Sequence, residues 1–235
     1  MEFSRLSSPS LKDLFVREIE NMIISGKLAV GDRLPPEREL AEKMGVSRAV
    51  VNSGLMELAN IGFVELKPRV GAFVADYHRK GTVDTLMAIL RYNGGNLKKT
   101  EMKSLLEIRL VFETLAIELA VPRATEAELE TLAELAADFK ASDTPESSAE
   151  AIFRFHHELC ILSGNTMLPV IFYSFKELST MLWERYFRRY GNGPLHENTL
   201  QLLTCLRNKE AAGALEAFQS SLKKTIDGVV SIYDE

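Results

Sequence analysis

Cysteine is scarce in this 235-residue chain: Cys160 and Cys205 are the only two, each inside an apolar run. That excludes a disulfide-stapled scaffold, leaves no Cys cluster for zinc, and predicts the free thiols of a cytoplasmic protein. Long apolar runs are absent as well; none approaches the roughly 20 residues that a membrane-spanning helix needs. The opening MEFSRLSSPSLKD lacks the apolar centre of a secretory signal. Nor is there a surplus of positive charge. Residues 1–78 carry 10 Lys and Arg against 11 Asp and Glu, and residues 79–235 carry 18 against 22, giving the net charge of −5. Any contact with nucleic acid therefore has to come from a few well-placed cations and helix N-termini, not from a broad basic field. What is present is ordinary globular composition, 46% hydrophobic and 26% charged, in a length that suits one or two domains.

The amino-terminal third reads as one unit. Residues 11–25 place Leu14, Phe15, Ile19, Met22 and Ile23 at helical spacing, and Gly26 and Gly31 stop the pattern. Pro35 and Pro36 open a second, short helix, since proline is already set for helical φ at a first turn. Leu40 and Ala41 face inward, and Gly45 supplies a left-handed stop. Ser47 reads as the N-cap of a third helix running to Asn60, with Leu55, Met56 and Leu58 inward. Residues 63–66 and 71–75 then form two short strands around Lys67-Pro68-Arg69-Val70. Helix, helix, tight glycine turn, helix and hairpin is the order of a winged helix-turn-helix, with the helix-turn-helix at about 37–56 and the wing at about 63–75.

Residues 77–82 read as a polar linker, and beyond them no strand signal survives. Residues 82–92, 100–121, 125–141, 145–163, 166–190, 194–207 and 209–233 all read as helices. The expected fold is mostly α: a winged helix-turn-helix over 1–78 and an antiparallel all-α bundle of six or seven helices over 79–235.

The run Leu34-Pro35-Pro36-Glu37-Arg38-Glu39-Leu40-Ala41, followed by Met44-Gly45-Val46-Ser47-Arg48, resembles the signature of the GntR family of bacterial repressors. The resemblance extends over residues 11–76, through Gly62-Phe63-Val64 and a wing ending in Gly71, Phe73 and Val74. It implies binding to a double-stranded DNA operator, and the chemistry of the residues agrees. A capped helix start at Ser47 aims free backbone N–H groups and a positive dipole end at a phosphate. Arg48, in the first turn, suits guanine O6 and N7 in the major groove. Arg38, at the start of the preceding helix, suits phosphate or base, and Gly71 allows the wing backbone to approach a duplex closely. Two positions depart from the family pattern. Asn52 stands where an arginine is usual, which redirects base preference toward adenine. Arg69-Val70 stands where a Gly-Arg pair is common, and Arg69 is the remaining cation of the wing.

An all-helical half behind such a head resembles the FadR subfamily and its FCD effector domain, on Phe155-His156, Leu159, Ser163-Gly164-Asn165, Arg109 and Glu113. Metal-binding members set an Asp and a His four apart on one helix and add two later His. Here the Asp position is Ile152, and the later positions fall near Asn198 or Thr199 and near Ser220 or Ser221, with His196 close by. One ligand of four makes no metal site, so no metal and no cofactor is expected. The resemblance implies instead an organic acid or acyl thioester effector, with Arg109, His156 and Tyr186 as ligand-binding residues. Arg109 qualifies because its planar fork pairs a carboxylate bidentately; the bland reading pairs it with Glu113 at i,i+4. Trp183, Phe172 and Phe175 read as core. No Ser-His-Asp set or glycine-rich phosphate loop supports an enzyme. The expected protein is a cytoplasmic, ligand-responsive regulator, a repressor in the usual family manner, acting as a homodimer on a palindrome, away from any membrane. The alternatives are a DNA-binding dimer without an effector and a metal-dependent organic-acid sensor.

Overall fold

A computed structural model describes residues 9–92 and 99–233 of the chain. They form two units, Met1–Asn96 and Leu97–Glu235.

The first unit grows from local signals. Helix α1 (Leu11–Ile24) starts at a capping box in which Ser10 Oγ accepts from the Asp13 N–H and Asp13 accepts from the Ser10 N–H. Its stripe of Phe15, Val16, Ile19 and Ile23 is buried. Helix α2 (Glu37–Met44) ends at Gly45, in the left-handed conformation at φ 65°. Helix α3 (Arg48–Asn60) starts at Ser47, whose hydroxyl accepts from the Val50 N–H at 3.2 Å. Val51, Leu55 and Leu58 are buried, but Met56, expected inward, is 55% exposed. The helical period explains this: Val51, Leu55 and Leu58 share one face, and Met56 lies a full 100° step beyond Leu55.

Gly54 sets how closely α1 and α3 approach. A Cβ built on it would sit 2.3 Å from the Phe15 ring, which is itself buried and has no room to withdraw. Alanine at this site gains about 1 kcal/mol of helix propensity but overpacks the contact by roughly 1–3 kcal/mol. Gly54→Ala should therefore destabilise the first unit by about 1 kcal/mol, read as a lower urea midpoint at unchanged slope.

Strands β1 (Val64–Lys67) and β2 (Gly71–Val74) pair antiparallel, from Val64 against Val74 to Lys67 against Gly71. Residues 31–34 run along the free edge of β2: the Gly31 N–H donates to Val74 O, the Val74 N–H to Asp32 O, and the Leu34 N–H to Ala72 O. The segment 77–82, expected as a polar linker, contains helix α4 (Tyr77–Lys80), and Tyr77 packs its ring 5.5 Å from Phe63. Helix α5 (Val83–Tyr92) follows within the same unit. The Thr85 hydroxyl donates to Ile61 O, and Ala88 and Ile89 join the core that holds Phe15 and Leu58.

The regular structure of the second unit, among its described residues, is seven helices: α6 (Lys99–Arg123), α7 (Glu126–Ala141), α8 (Pro145–Leu162), α9 (Leu168–Ser174), α10 (Lys176–Tyr190), α11 (Gly193–Arg207) and α12 (Ala211–Ile226). Helix α8 is central, with α6, α7, α9 and α10 around it. Its residues Ile152, Phe155 and Leu159 have no exposed surface. Two expected helices are cut short. The stretch 166–190 breaks at Phe175, which leaves helical geometry at ψ 11° and sets its ring 6.2 Å from Phe112 on α6. The stretch 209–233 stops at Asp227 because Gly228 turns left-handed, at φ 78°. The chain then folds back. The Tyr190 hydroxyl donates to Ser231 O at 3.1 Å and the Tyr233 hydroxyl to Ile226 O at 3.0 Å.

Candidate functional site

The candidate residues of the first unit stand on the start of α3 and on the hairpin. The exposed Ser47 caps α3 through the Val50 N–H, and Arg48 is exposed beside it at the helix start. Asn52, one turn on, is also exposed, and its amide donates to Glu37 Oε1 at 3.2 Å. Arg38 is exposed and stands 3.6 Å from Glu42, a surface pair that holds it only weakly. Arg69 is exposed and occupies the left-handed region at φ 63° in the wing turn. Gly71, exposed and at φ 137°, lies against the Arg33 side chain: a Cβ there would sit 3.2 Å from the Nε of Arg33.

Arg33 and Glu37 escaped the sequence reading. The Arg33 guanidinium donates to Val70 O at 2.6 Å, which ties the wing tip to residues 31–34. A four-residue edge carries no periodic signal, so no pattern could have found it. Glu37 is identifiable as a helix-start carboxylate, but its grip on Asn52 spans 15 residues.

In the second unit, Arg109, His156 and Tyr186 meet. They line one pocket, about 630 Å³ of empty space partly open to solvent. Helices α6, α8, α10, α11 and α12 all contribute to its wall, and Ile232 of the returning tail closes part of it. Most of the lining is apolar, including Leu106, Leu182, Phe218 and Leu222. Behind the polar end sits Glu113, with no exposed surface. It binds both basic residues. The Arg109 Nε donates to Glu113 Oε1 at 2.8 Å, and His156 Nδ1 lies 2.6 Å from Glu113 Oε2, close but out of line for a straight hydrogen bond. Trp183 completes the cluster: the Arg109 guanidinium lies 4.0 Å over its ring, and the His156 ring stacks on it at 5.3 Å. Trp183 thus belongs to the pocket wall as well as to the core.

Electrostatics at this end follow from burial. Loss of water around Glu113, the largest influence on it, pushes its carboxyl up; Arg109 and then His156 more than offset that and hold it below the usual carboxylate range. The bland sequence reading, Arg109 paired with Glu113, is therefore present in the structure, and it does not remove Arg109 from the pocket. Burial raises the Tyr186 phenol, with Tyr190 adding to it, so Tyr186 is a neutral hydroxyl at physiological pH. Cys160, one turn beyond His156, is pushed up by burial and then by Glu113, and is an inert thiol.

The positions equivalent to the two later metal ligands are also here: Asn198, Thr199 and Ser221 line the pocket. Among the described residues no group of three or more His, Cys, Asp or Glu is placed to hold a metal ion. His196 lies apart, its ring 6.1 Å from Phe139. His157 turns to the other side of α8, against Phe153, Phe172 and Tyr173. Ser163, Gly164 and Asn165 serve the backbone: Asn165 Oδ1 accepts from the N–H groups of Met167 and Leu168 and so starts α9.

Comparison with known proteins divides the chain in the same way. Residues 13–74 match the family described as bacterial regulatory proteins, gntR family, and residues 104–224, more than half of the chain, match the FCD domain. The HTH-type transcriptional regulator LutR of Bacillus subtilis is 32% identical over 148 residues, 63% of this chain and 65% of LutR. The Uxu operon transcriptional regulator of Escherichia coli is 28% identical over 215 residues, 87% of this chain and 81% of that protein. The chain spans less than two thirds of the length of the curated relatives it matches first. Among solved structures, that of Lar, which controls the expression of the Listeria monocytogenes agr system, shares the fold with a TM-score of 0.60 at 18% identity, over 94% of this chain and 97% of Lar. Among the described residues no helix is long and apolar enough to cross a membrane.

Proposed function

Because the chain belongs to the GntR family of bacterial regulatory proteins and carries an FCD domain, we propose that it is a cytoplasmic transcription regulator that binds an operator through α3 and the wing and responds to an organic acid held in the helical domain. Its expected working form is a homodimer on a palindrome, since a two-fold protein reads a two-fold site. Repression is its expected mode. Arg48 and Asn52 are assigned to base edges, Ser47, Arg38 and Arg69 to phosphate or groove contact, and Gly71 to the wing conformation that Arg33 braces.

One observation supports the effector reading above the others: three residues on three helices, Arg109, His156 and Tyr186, converge on a largely apolar pocket backed by a buried carboxylate. A pocket of that kind, apolar with a few polar groups at one end, suits a small molecule with a charged head. Arg109 would take the carboxylate of the ligand, with its Nε already held by Glu113. Occupancy changes DNA affinity to the extent that the ligand prefers one arrangement of the protein over another.

Selection of duplexes from a random pool at low salt should enrich a sequence with two-fold symmetry. A thermal-shift screen should then find stabilisation by carboxylic acids. Enrichment of nothing would sink the DNA assignment. Enrichment without any thermal shift from carboxylates, acyl thioesters or divalent metals would leave a DNA-binding dimer with no effector.

A further inference from the structure

We propose that Glu37 positions Asn52 for base readout: by occupying one amide hydrogen it leaves Asn52 with one donor and one acceptor, a set that adenine matches and guanine does not. This rests on the reading of α3 as the recognition helix, and it names a residue outside that helix that sets what the helix recognises.

Asn52 lies four residues after Arg48 on α3, so the two share a helical face, and both are exposed. Glu37 is the first residue of α2 and is exposed too; its Oε1 accepts from Asn52 Nδ2 at 3.2 Å. A carboxylate oxygen only accepts, so the amide atom that faces it has to be the nitrogen. The opposite flip would set Oδ1 against Oε1, two acceptors in contact. Glu37 therefore fixes which end of the Asn52 amide is which.

The consequence is a count of donors. An Asn amide carries two N–H donors and one carbonyl acceptor. With one hydrogen given to Glu37, a single N–H remains beside Oδ1. In the major groove adenine offers N7 as an acceptor and N6–H as a donor, and the remaining pair satisfies both. Guanine offers two acceptors, N7 and O6. An unrestrained amide could turn its nitrogen between them and give a hydrogen to each. The held amide has only one hydrogen to give, and its oxygen meets O6. Thymine presents O4 and a methyl group, and cytosine its N4–H donor, so each makes a single bond with the held amide.

In water the exposed bond between Asn52 and Glu37 adds little, because both groups have water as an alternative partner. Against a duplex the balance changes. Water leaves the contact, and a carboxylate that released Asn52 would face the phosphate charge without a partner. Keeping the bond is the lower-cost arrangement, so Glu37 stays with Asn52 while Asn52 reads the base.

The test uses the intact protein and the duplex enriched by low-salt selection, with each of the four base pairs placed in turn at every position, and measures Kd by fluorescence anisotropy. Asn52→Ala identifies the position that Asn52 reads, as the one where preference is lost. There the parent protein should bind adenine about tenfold tighter than guanine, the discrimination expected of a bidentate pair. Glu37→Ala should shrink that ratio to about threefold or less and leave the preferences at the other positions intact, including the one that Arg48→Ala relaxes. A ratio of affinities within one protein is insensitive to loss of folded material, and the retained preference at the Arg48 position reports an intact head. Glu37→Gln, of the same size but no longer an obligate acceptor, should shrink the ratio in the same sense and serves if the alanine variant binds too weakly to measure. An unchanged ratio, or one common factor of change for all four bases, overturns the role of Glu37 and leaves Asn52 as a reader. A parent protein that prefers guanine at that position overturns the donor count. Preferences untouched by Asn52→Ala at every position remove Asn52 from base readout, and the inference with it, while DNA binding stands. Enrichment of no duplex overturns the DNA reading itself.

Discussion

Replacing Glu113 with alanine should cost the helical domain about 3–5 kcal/mol, because it removes one partner of a buried charge pair and leaves the other uncompensated. Arg109 is 7% exposed and Glu113 not at all. Without the carboxylate, the Arg109 Nε donor faces a cavity, and His156 Nδ1 loses the atom that orients it. Urea unfolding of the intact chain, followed by circular dichroism, would show the loss as an early transition; a midpoint within error of the parent would contradict the energetic role given to Glu113. Glu113→Gln keeps the volume and an acceptor, so it should cost less. The pH dependence has a definite sign. The folded-state carboxyl is held below its ordinary value, so its stabilising contribution is fully present above the ordinary carboxylate range and is lost as pH falls through the lowered value. The gap between parent and Glu113→Ala should therefore be widest near neutrality and shrink in acid.

Arg48→Ala should weaken operator binding by about 1–3 kcal/mol and relax base choice at one position of each half-site. Arg48 is exposed at the capped start of α3, where the side chain can turn into the major groove without breaking any contact in the protein. Asn52 is different: its amide is already engaged by Glu37 at 3.2 Å, so base readout there requires releasing or sharing that bond. Fluorescence anisotropy against the selected operator and its single-base variants separates the two. A uniform loss across all variants would make Arg48 a phosphate contact, and an unchanged preference would remove it from base readout altogether.

Most of the head was legible because its signals are local. Gly45 closes α2 and Ser47 opens α3 through atoms no more than four residues away, and proline, glycine and alternation delimit the hairpin. Met56 was misplaced by reading a run of apolar residues where the period selects only Val51, Leu55 and Leu58. The edge at residues 31–34 and the docking of α4 and α5 depend on partners tens of residues distant, and composition there says only polar. In the second unit, the convergence of Arg109, His156 and Tyr186 was anticipated through family resemblance. The pairing of Arg109 with Glu113 was readable from their i,i+4 spacing. That the same carboxylate also holds His156, across two helices, was not, since nothing in either segment marks the other. The end of α12 was overrun because Val, Ile and Tyr suit a returning tail as well as a helix, and only Gly228 separates the two.

The chain has a single tryptophan, Trp183, and the guanidinium of Arg109 and the imidazole of His156 both rest on it. Its emission is therefore a built-in optical gauge of the effector cavity: intrinsic fluorescence, with no dye and no labelled residue, follows occupancy at the very side chains assigned to the ligand, and is blind to the winged head.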